Sequence, residues 1–206
     1  MMTLFYSPGS CSTASHIALA EAGADYELVR TDTAAGDQRK PEYLKINPKG
    51  RVPALVTSQG VLTETPAILA FIAQSFPAAN LAPLDDAFAF ARLQAFNSYL
   101  CATVHVAHAH KHRGYRWASE DSSFADMRAK VAANETECFR LIETELLQGP
   151  WVMGEAFTVA DGYLFTVADW LEGDGVDPAQ FPKVLEHRER TRARPAVRKV
   201  LAQQAA

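Results

Sequence analysis

The segment KGRVPALVTSQGVLTE, residues 49–64, carries the strongest fold signal in the chain. Two apolar runs, VPALV and VLT, flank Ser58-Gln59-Gly60, and this pattern predicts a β-hairpin. Pro53 stands where the first strand begins, although a proline cannot donate to a sheet ladder. It is either an ordinary strand-opening proline or part of a cis Val52-Pro53 bond that leaves the backbone of Val52 free for a ligand.

The sequence on both sides of the hairpin completes a small α/β unit. Before it, apolar spacing predicts, in order, a strand at 2–6, a helix at 11–22, a strand at 26–30 and a short helical stretch ending at Ile46. After it, helical spacing resumes from Thr65 to Ser75. The order βαβαββα over residues 1–76 predicts a central sheet covered by helices.

The rest of the chain has helical spacing. Residues 77–86 (PAANLAPLDD) are a predicted linker, and residues 87–206 are a predicted second, all-α domain. Its helices are predicted at 88–115, 124–147, 159–171, 181–193 and 195–203. Thr158 and Asp161 have the spacing of a helix-capping pattern, and the apolar helix that they open should lie in the domain core.

Composition narrows the functional classes. The 206 residues are 48% hydrophobic and carry a formal net charge of -4, with a pI of about 5.9. This balance disfavours nucleic acid or an anionic membrane as the main partner. The chain starts directly with a strand-like run and lacks an apolar stretch of about 18 residues, so we expect a soluble, cytoplasmic protein that acts on small molecules.

The cysteines and the arginine-rich segment have ordinary interpretations. Cys11, Cys101 and Cys138 are odd in number and far apart, so we expect reduced thiols rather than a disulfide framework or a zinc cluster. The segment HRERTRARPAVRK, residues 187–199, is dense in arginine. We interpret it as a solvated helical face rather than a nucleic-acid site.

Two junctions between a strand and a helix are candidate sites. Cys11 stands at the first, where the positive end of the helix macrodipole lowers the pKa of a thiol. Its CxxA context has no resolving thiol, which disfavours dithiol chemistry but leaves a mixed disulfide open. Glu64 and Thr65 stand at the second junction. Either they and the free N–H groups of the first helical turn hold a carboxylate, or Thr65 is an N-cap and Glu64 a solvated charge.

Four of the six histidines lie in HVAHAHKH, residues 105–112. On a helix, His105, His108 and His112 share one face and His110 points away. His108 and His112 could chelate a metal, but no third ligand stands nearby in the sequence. Solvated or interdomain histidines are therefore favoured, and no metal is expected.

Four motifs follow one another along the chain: YSPGSCS at 6–12, NPKGRVPAL at 47–55, LTETPAIL at 62–69 and FTVADGYLF at 157–165. Together they resemble the bacterial glutathione S-transferases, closest to the beta class, over essentially the whole chain. The resemblance implies a thioredoxin-like first domain, a helical second domain and a homodimer. It also implies glutathione as a co-substrate, bound mainly by the first domain.

The resemblance assigns glutathione-binding roles to individual residues. Val52, before a cis Pro53, would pair with the backbone of the glutathione cysteine. Glu64 and Thr65 would hold the γ-glutamyl end. The candidates for the glycine end are Arg39 and Lys40.

It also implies which side chains surround the glutathione sulfur. Cys11 would lie beside the sulfur, with Tyr6 and Ser10 near it. From the second domain, His105 is the first candidate to face the sulfur and His108 the second, because the His-Lys pair of the beta class has no clear counterpart at the expected register.

Three functions remain open from the sequence. The first is a detoxifying transferase that conjugates glutathione to small apolar electrophiles. The second is a glutathione-dependent thiol-disulfide reductase or peroxidase that works through Cys11. The third is a non-catalytic binding module on the same fold, because one scaffold can host several activities.

Overall fold

Four short strands form one mixed sheet at the start of the chain. The structure, a computed structural model, describes residues 1–205. The strands are β1 (Met2–Tyr6), β2 (Tyr26–Arg30), β3 (Ala54–Thr57) and β4 (Gly60–Thr63), in the spatial order β2-β1-β3-β4. β1 is parallel to β2 and antiparallel to β3, and β3 pairs antiparallel with β4. The predicted hairpin is therefore confirmed.

Three helices cover this sheet: α1 (Ser12–Glu21), the short α2 (Pro41–Leu44) and α3 (Thr65–Ser75). The order βαβαββα is the one predicted for a thioredoxin-like domain. α1 is buried from Ser12 to Leu19 because it lies between the sheet and the second domain. Helix α1 and the second-domain helix that contains Gly162 approach closely here: a Cβ on Gly162 would lie 3.0 Å from Ile17 Cγ2, so a larger residue at this position would force the Ile17 side chain to move.

The second domain is helical, as predicted. Its helices are α4 (Ala87–Tyr99), α5 (His105–Arg113), α6 (Asp121–Leu141), α7 (Val159–Ala168), α8 (Pro182–Arg192) and α9 (Pro195–Ala205). The long helices predicted at 88–115 and 124–147 each contain a π-helical turn, at Leu100–Val104 and Ile142–Leu146. Such turns are rare and often mark functional sites, and the first of them brings Cys101 to the cavity described below. The predicted linker, 77–86, lies between α3 and α4.

The predicted capping pattern at the start of α7 is present. Asp161 is fully buried, and its Oδ2 accepts hydrogen bonds from the Thr158 backbone N–H at 2.7 Å and the Thr158 hydroxyl at 3.0 Å. Its Oδ1 accepts from the Val152 N–H at 2.7 Å and lies 2.9 Å from His187 Nε2. One carboxylate thus ties the start of α7 to the preceding loop and to α8.

The interpretation of segment 187–199 as a solvated face is wrong in part. Arg188 is 8% exposed and makes a bidentate ion pair with Glu172. Arg194 makes a second bidentate pair, at 2.6 and 2.7 Å, with Glu21 of α1 in the first domain. The arginines bind carboxylates that the tertiary fold brings to them.

Across residues 1–205, no helix is both long and apolar enough to cross a membrane.

Candidate functional site

A cavity of about 650 Å³ lies between the two domains. The first domain lines it with the loop after β1, the loop before β3 and the start of α3. The second domain contributes one face of α5 and residues in and after α7. Most of the predicted site residues meet there: Ser10, Cys11, Arg39, Val52, Pro53, Glu64, Thr65, His105 and His108.

Cys11 lies at the N-terminal end of α1 and is 8% exposed. Its thiol donates a hydrogen bond to the Val52 carbonyl at 3.5 Å. Burial raises the pKa of Cys11 to about 11, although a hydrogen bond with Thr65 and the positive charge of Arg113 act in the opposite direction. The expectation of a lowered thiol pKa at this helix terminus is therefore contradicted, because desolvation raises the pKa of Cys11 more than Thr65 and Arg113 lower it.

The Val52-Pro53 peptide bond is cis, which confirms that alternative. β3 begins only at Ala54, so the backbone of Val52 lies in the cavity wall outside the ladder. The loop is held from behind, since the Tyr43 hydroxyl and the Asn47 amide each donate to the Arg51 carbonyl at 2.6 Å. These contacts preorganise the backbone that faces the cavity.

Glu64 has a backbone conformation that is unusual for a side chain with a Cβ, with φ 71° and ψ 120°. Such strain costs about 1–3 kcal/mol and is concentrated at ligand sites. The side chain is 49% exposed and forms an ion pair with Lys49. Thr65, buried, follows as the first residue of α3, so both residues lie at the free N–H groups of this 11-residue helix.

Ser10 lines the cavity, but Tyr6 does not. The Ser10 hydroxyl donates to the Ser7 carbonyl at 2.8 Å and lies 2.7 Å from the Ser12 hydroxyl, so neighbouring residues fix its orientation. Tyr6 is buried in the core with its ring 5.8 Å from that of His16. The structure thus corrects the expected place of Tyr6 near the glutathione sulfur: alternation along β1 directs this ring away from the site.

Arg39 and Lys40 differ in position. Arg39 lines the cavity and its Nη2 donates to the Tyr115 hydroxyl at 2.8 Å, which joins the first domain to the end of α5. Lys40 lies outside the lining and pairs with Asp37 at 2.7 Å. Of the two candidates for the glycine end, the structure brings only Arg39 to the cavity.

The predicted histidine face is present on α5. His105, His108 and His112 line the cavity, whereas His110 lies outside it, with its ring 4.4 Å from that of Trp117. Burial, helped by nearby positive charges, lowers the pKa of His105 to about 3, so its imidazole is neutral. His108 differs because its Nδ1 lies 2.6 Å from Oδ2 of Asp174.

Arg113 and Tyr163 line the cavity but were not predicted from the sequence. Arg113 extends the histidine face by helical spacing, a signal that was available. Trp170 bridges the domains, since its Nε1 donates to the Gly9 carbonyl at 2.8 Å. The hydroxyl of Tyr163 is buried and has no hydrogen-bond partner within residues 1–205. In the same residues, no three His, Cys, Asp or Glu side chains come together as a group that could hold a metal ion.

Comparison with known proteins supports the resemblance to glutathione S-transferases. Residues 1–74 match the model of the glutathione S-transferase N-terminal domain, and residues 136–190 match that of the C-terminal domain. Glutathione S-transferase GstA of Escherichia coli is 31% identical over 204 residues, which cover 98% of each chain. Disulfide-bond oxidoreductase YfcG of the same species is 26% identical, over 98% of this chain and 94% of the relative.

Solved structures of glutathione transferases are similar to this chain in both sequence and fold. A glutathione transferase homologue from Sulfitobacter, solved with bound glutathione, is 47% identical with a TM-score of 0.96 and 98% coverage of both chains. The beta-class glutathione S-transferase of Sphingomonas chungbukensis is 35% identical with a TM-score of 0.86, again over 98% of both chains. These relatives confirm the prediction of an enzyme over that of a binding module. By sequence, fold and the two domain matches, this chain belongs to the glutathione S-transferase family.

Proposed function

We propose that this protein binds glutathione in the interdomain cavity and conjugates its thiol to small apolar electrophiles. One observation carries the proposal: a single cavity joins a preorganised first-domain wall, formed by Cys11, the cis Val52-Pro53 bond and Glu64, to an aromatic and cationic second-domain wall. A polar peptide can bind the first wall while an apolar electrophile lies against the second.

The polar wall fits the three parts of glutathione. The exposed backbone of Val52 can pair with the backbone of the cysteinyl residue. Glu64 can bind the γ-glutamyl ammonium group, while Thr65 and the first N–H groups of α3 bind the adjacent carboxylate. Arg39 supplies a cation for the glycine carboxylate. This assignment also gives the strained Glu64 backbone a function.

The second wall supplies the conditions for thiolate chemistry. A free thiol has a pKa near 8.5, and the cationic side chains of Arg113 and Arg116 on this wall, together with Arg51 of the first domain, favour the thiolate of bound glutathione. When glutathione binds, the Cys11 S–H can donate a hydrogen bond to that sulfur instead of to the Val52 carbonyl. Trp170 and the other aromatic side chains of this wall then hold the electrophile within reach of the nucleophile.

The reductase alternative is favoured by the relative YfcG, whose name is that of a disulfide-bond oxidoreductase. That chemistry needs Cys11 as a thiolate. Burial raises the pKa of Cys11 to about 11, which disfavours that thiolate at neutral pH. A buried neutral thiol is suited to hydrogen bonding, so conjugation is the better-supported function.

Replacing Cys11 tests this choice. We expect Cys11→Ala to bind glutathione within about threefold of the wild-type affinity, because the lost hydrogen bond is a weak one. It should retain at least about a tenth of the turnover with chlorodinitrobenzene. Titration calorimetry and the conjugation assay measure the two quantities.

Cys138→Ala is the matched control, since Cys138 is buried in the helical domain away from the cavity lining. If glutathione binds to Cys11→Ala but turnover is abolished, thiol exchange becomes the better assignment. If wild-type protein does not bind glutathione, both enzymatic proposals fail.

We also propose that the protein is a cytoplasmic homodimer that acts in detoxification. All three cysteines are free, which fits a reducing compartment. Phe88, at the start of α4, is 76% exposed and offers a large apolar side chain to a second copy. Analytical ultracentrifugation should give twice the mass of the 206-residue chain, and a monomer at micromolar concentration would contradict the dimer.

A further inference from the structure

The helical wall of the cavity contains a polar cluster that glutathione binding does not require. It consists of His108, Lys111, Trp170 and Asp174. His108 Nδ1 lies 2.6 Å from Asp174 Oδ2, and the imidazole stacks on Trp170 with ring centroids 4.3 Å apart and an interplanar angle of 25°. Lys111 lies 3.2 Å from the other oxygen, Oδ1.

Asp174 fixes the orientation and the tautomer of His108. A carboxylate only accepts hydrogen bonds, so Nδ1 of His108 carries the hydrogen. The side chain of Asp174 is 1% exposed and that of His108 is 24% exposed, so the pair runs from the protein interior to the cavity surface. This leaves Nε2, on the opposite edge of the ring, without a hydrogen-bond partner among residues 1–205. Imidazoles that are held in this way by a buried carboxylate transfer protons efficiently.

Other charged and titratable groups lie around the His108–Asp174 pair. Lys111 neutralises one oxygen of Asp174, and it also donates to the Gly173 carbonyl. Glu135 of α6, 2% exposed, faces the same carboxylate, but burial raises the pKa of Glu135 to about 8, so it is mostly neutral at pH 7. The other titratable groups that face His108 from its own helix are His105 and His112, and desolvation lowers the pKa of both. Asp174 therefore acts mainly on His108 and Lys111.

We propose, on the basis of the conjugation function proposed above, that His108 is a catalytic proton donor and that the enzyme is suited to α,β-unsaturated carbonyl electrophiles. The glutathione thiolate forms a C–S bond to the β-carbon. The π electrons of the C=C bond then form the double bond between the α-carbon and the carbonyl carbon, and the carbonyl π electrons move to the oxygen to give an enolate. His108 then transfers a proton from Nε2 to the α-carbon of the enolate, while its Nδ1–H stays bonded to Asp174. It regains from solvent the proton that the glutathione thiol released, so the addition is balanced without another reactant.

His105 is not suited to this role. Its imidazole is neutral, and the positive charges that face it include Arg51, Arg113 and Arg116. It can hydrogen-bond to sulfur but has no proton to give as a cation. His108 has a carboxylate partner, and its ring lies 6.3 Å from that of His105, further along α5. Two histidines on one face thus have different chemistry because their neighbours differ.

Comparing the activities with two electrophiles distinguishes a role of His108 in proton donation from a role in shaping the cavity. Addition to benzylideneacetone needs a proton on the product, whereas chlorodinitrobenzene expels chloride and needs none. For His108→Gln we expect kcat/KM with the enone to fall about 100-fold, as for loss of a general acid. The ratio of enone to aryl halide activity should fall at least about 30-fold. His110→Gln is the matched control, because His110 is on the same helix but outside the cavity lining, and it should change the ratio less than twofold.

Two further variants test the chemistry of the pair. In His108→Ala, added imidazole should restore part of the enone activity, which a purely structural role would not produce. Asp174→Asn should lower the same ratio about tenfold, as expected for a positioning residue. Equal losses with both electrophiles in His108→Gln, or an unchanged enone rate, would overturn the proposal. Wild-type protein that is inactive with both electrophiles would instead overturn the proposed conjugation, and this inference with it.

Discussion

Replacing Asp161 by alanine is expected to lower the free energy of unfolding by about 5 kcal/mol. The carboxylate is fully buried and is shared by the Val152 N–H, the Thr158 N–H and hydroxyl, and His187. Alanine would leave these donors buried without an acceptor, and each such group costs about 1–3 kcal/mol. The loss would act at the start of α7, the helix that packs on both α1 and α8.

Urea denaturation followed by circular dichroism measures the change. Asp161→Asn keeps one acceptor oxygen and should lose roughly half as much stability. Asp177→Ala is the matched control: this aspartate also caps a helical turn, but its Oδ1 accepts from the exposed Ala179 N–H alone, at 2.9 Å. The control should cost about 1 kcal/mol or less. Equal losses in Asp161→Ala and Asp177→Ala would show that the buried network contributes no more than an ordinary cap.

The Asp161 network also shows why part of the structure could be predicted from sequence. Thr158 and Asp161 interact across three residues, so their spacing alone indicates the cap. The hairpin of segment 49–64 is equally local, since its turn and its two apolar runs are adjacent. The contact with His187 was not predicted because α8 reaches Asp161 only through tertiary packing.

The chemistry of the cavity depends still more on contacts between distant residues. Cys11 was expected to be ionised because the helix terminus is a local feature. Its neutral state follows from burial, which depends on how both domains close over it. His108 and Asp174 are 66 positions apart, so no spacing rule joins them. The Arg194 pair with Glu21 spans 173 positions, and the same limit explains why that arginine was expected in solvent.

Glu64 has a strained backbone and a proposed role in glutathione binding. Two substitutions should show how much each contributes to affinity and to stability. Glu64→Gly should weaken glutathione binding about 100-fold, because a bound ammonium group would lose its carboxylate. The same variant should be more stable than the wild type by about 1 kcal/mol, since glycine adopts a φ of 71° without a Cβ clash. Glu64→Gln should lose about 30-fold in affinity without the gain in stability. Calorimetry and urea denaturation measure the two quantities.

Two controls isolate the cause of each effect. Asn80, with φ 52°, is the other non-glycine residue with positive φ within residues 1–205, and it lies outside the cavity lining. Asn80→Gly should leave glutathione affinity unchanged. Lys49→Met removes the ion-pair partner of Glu64 from outside the lining and should leave affinity equal or higher, because the carboxylate is freed for the ligand. Unchanged affinity in both Glu64 variants would place the γ-glutamyl group elsewhere, and the strained backbone would then have no binding role.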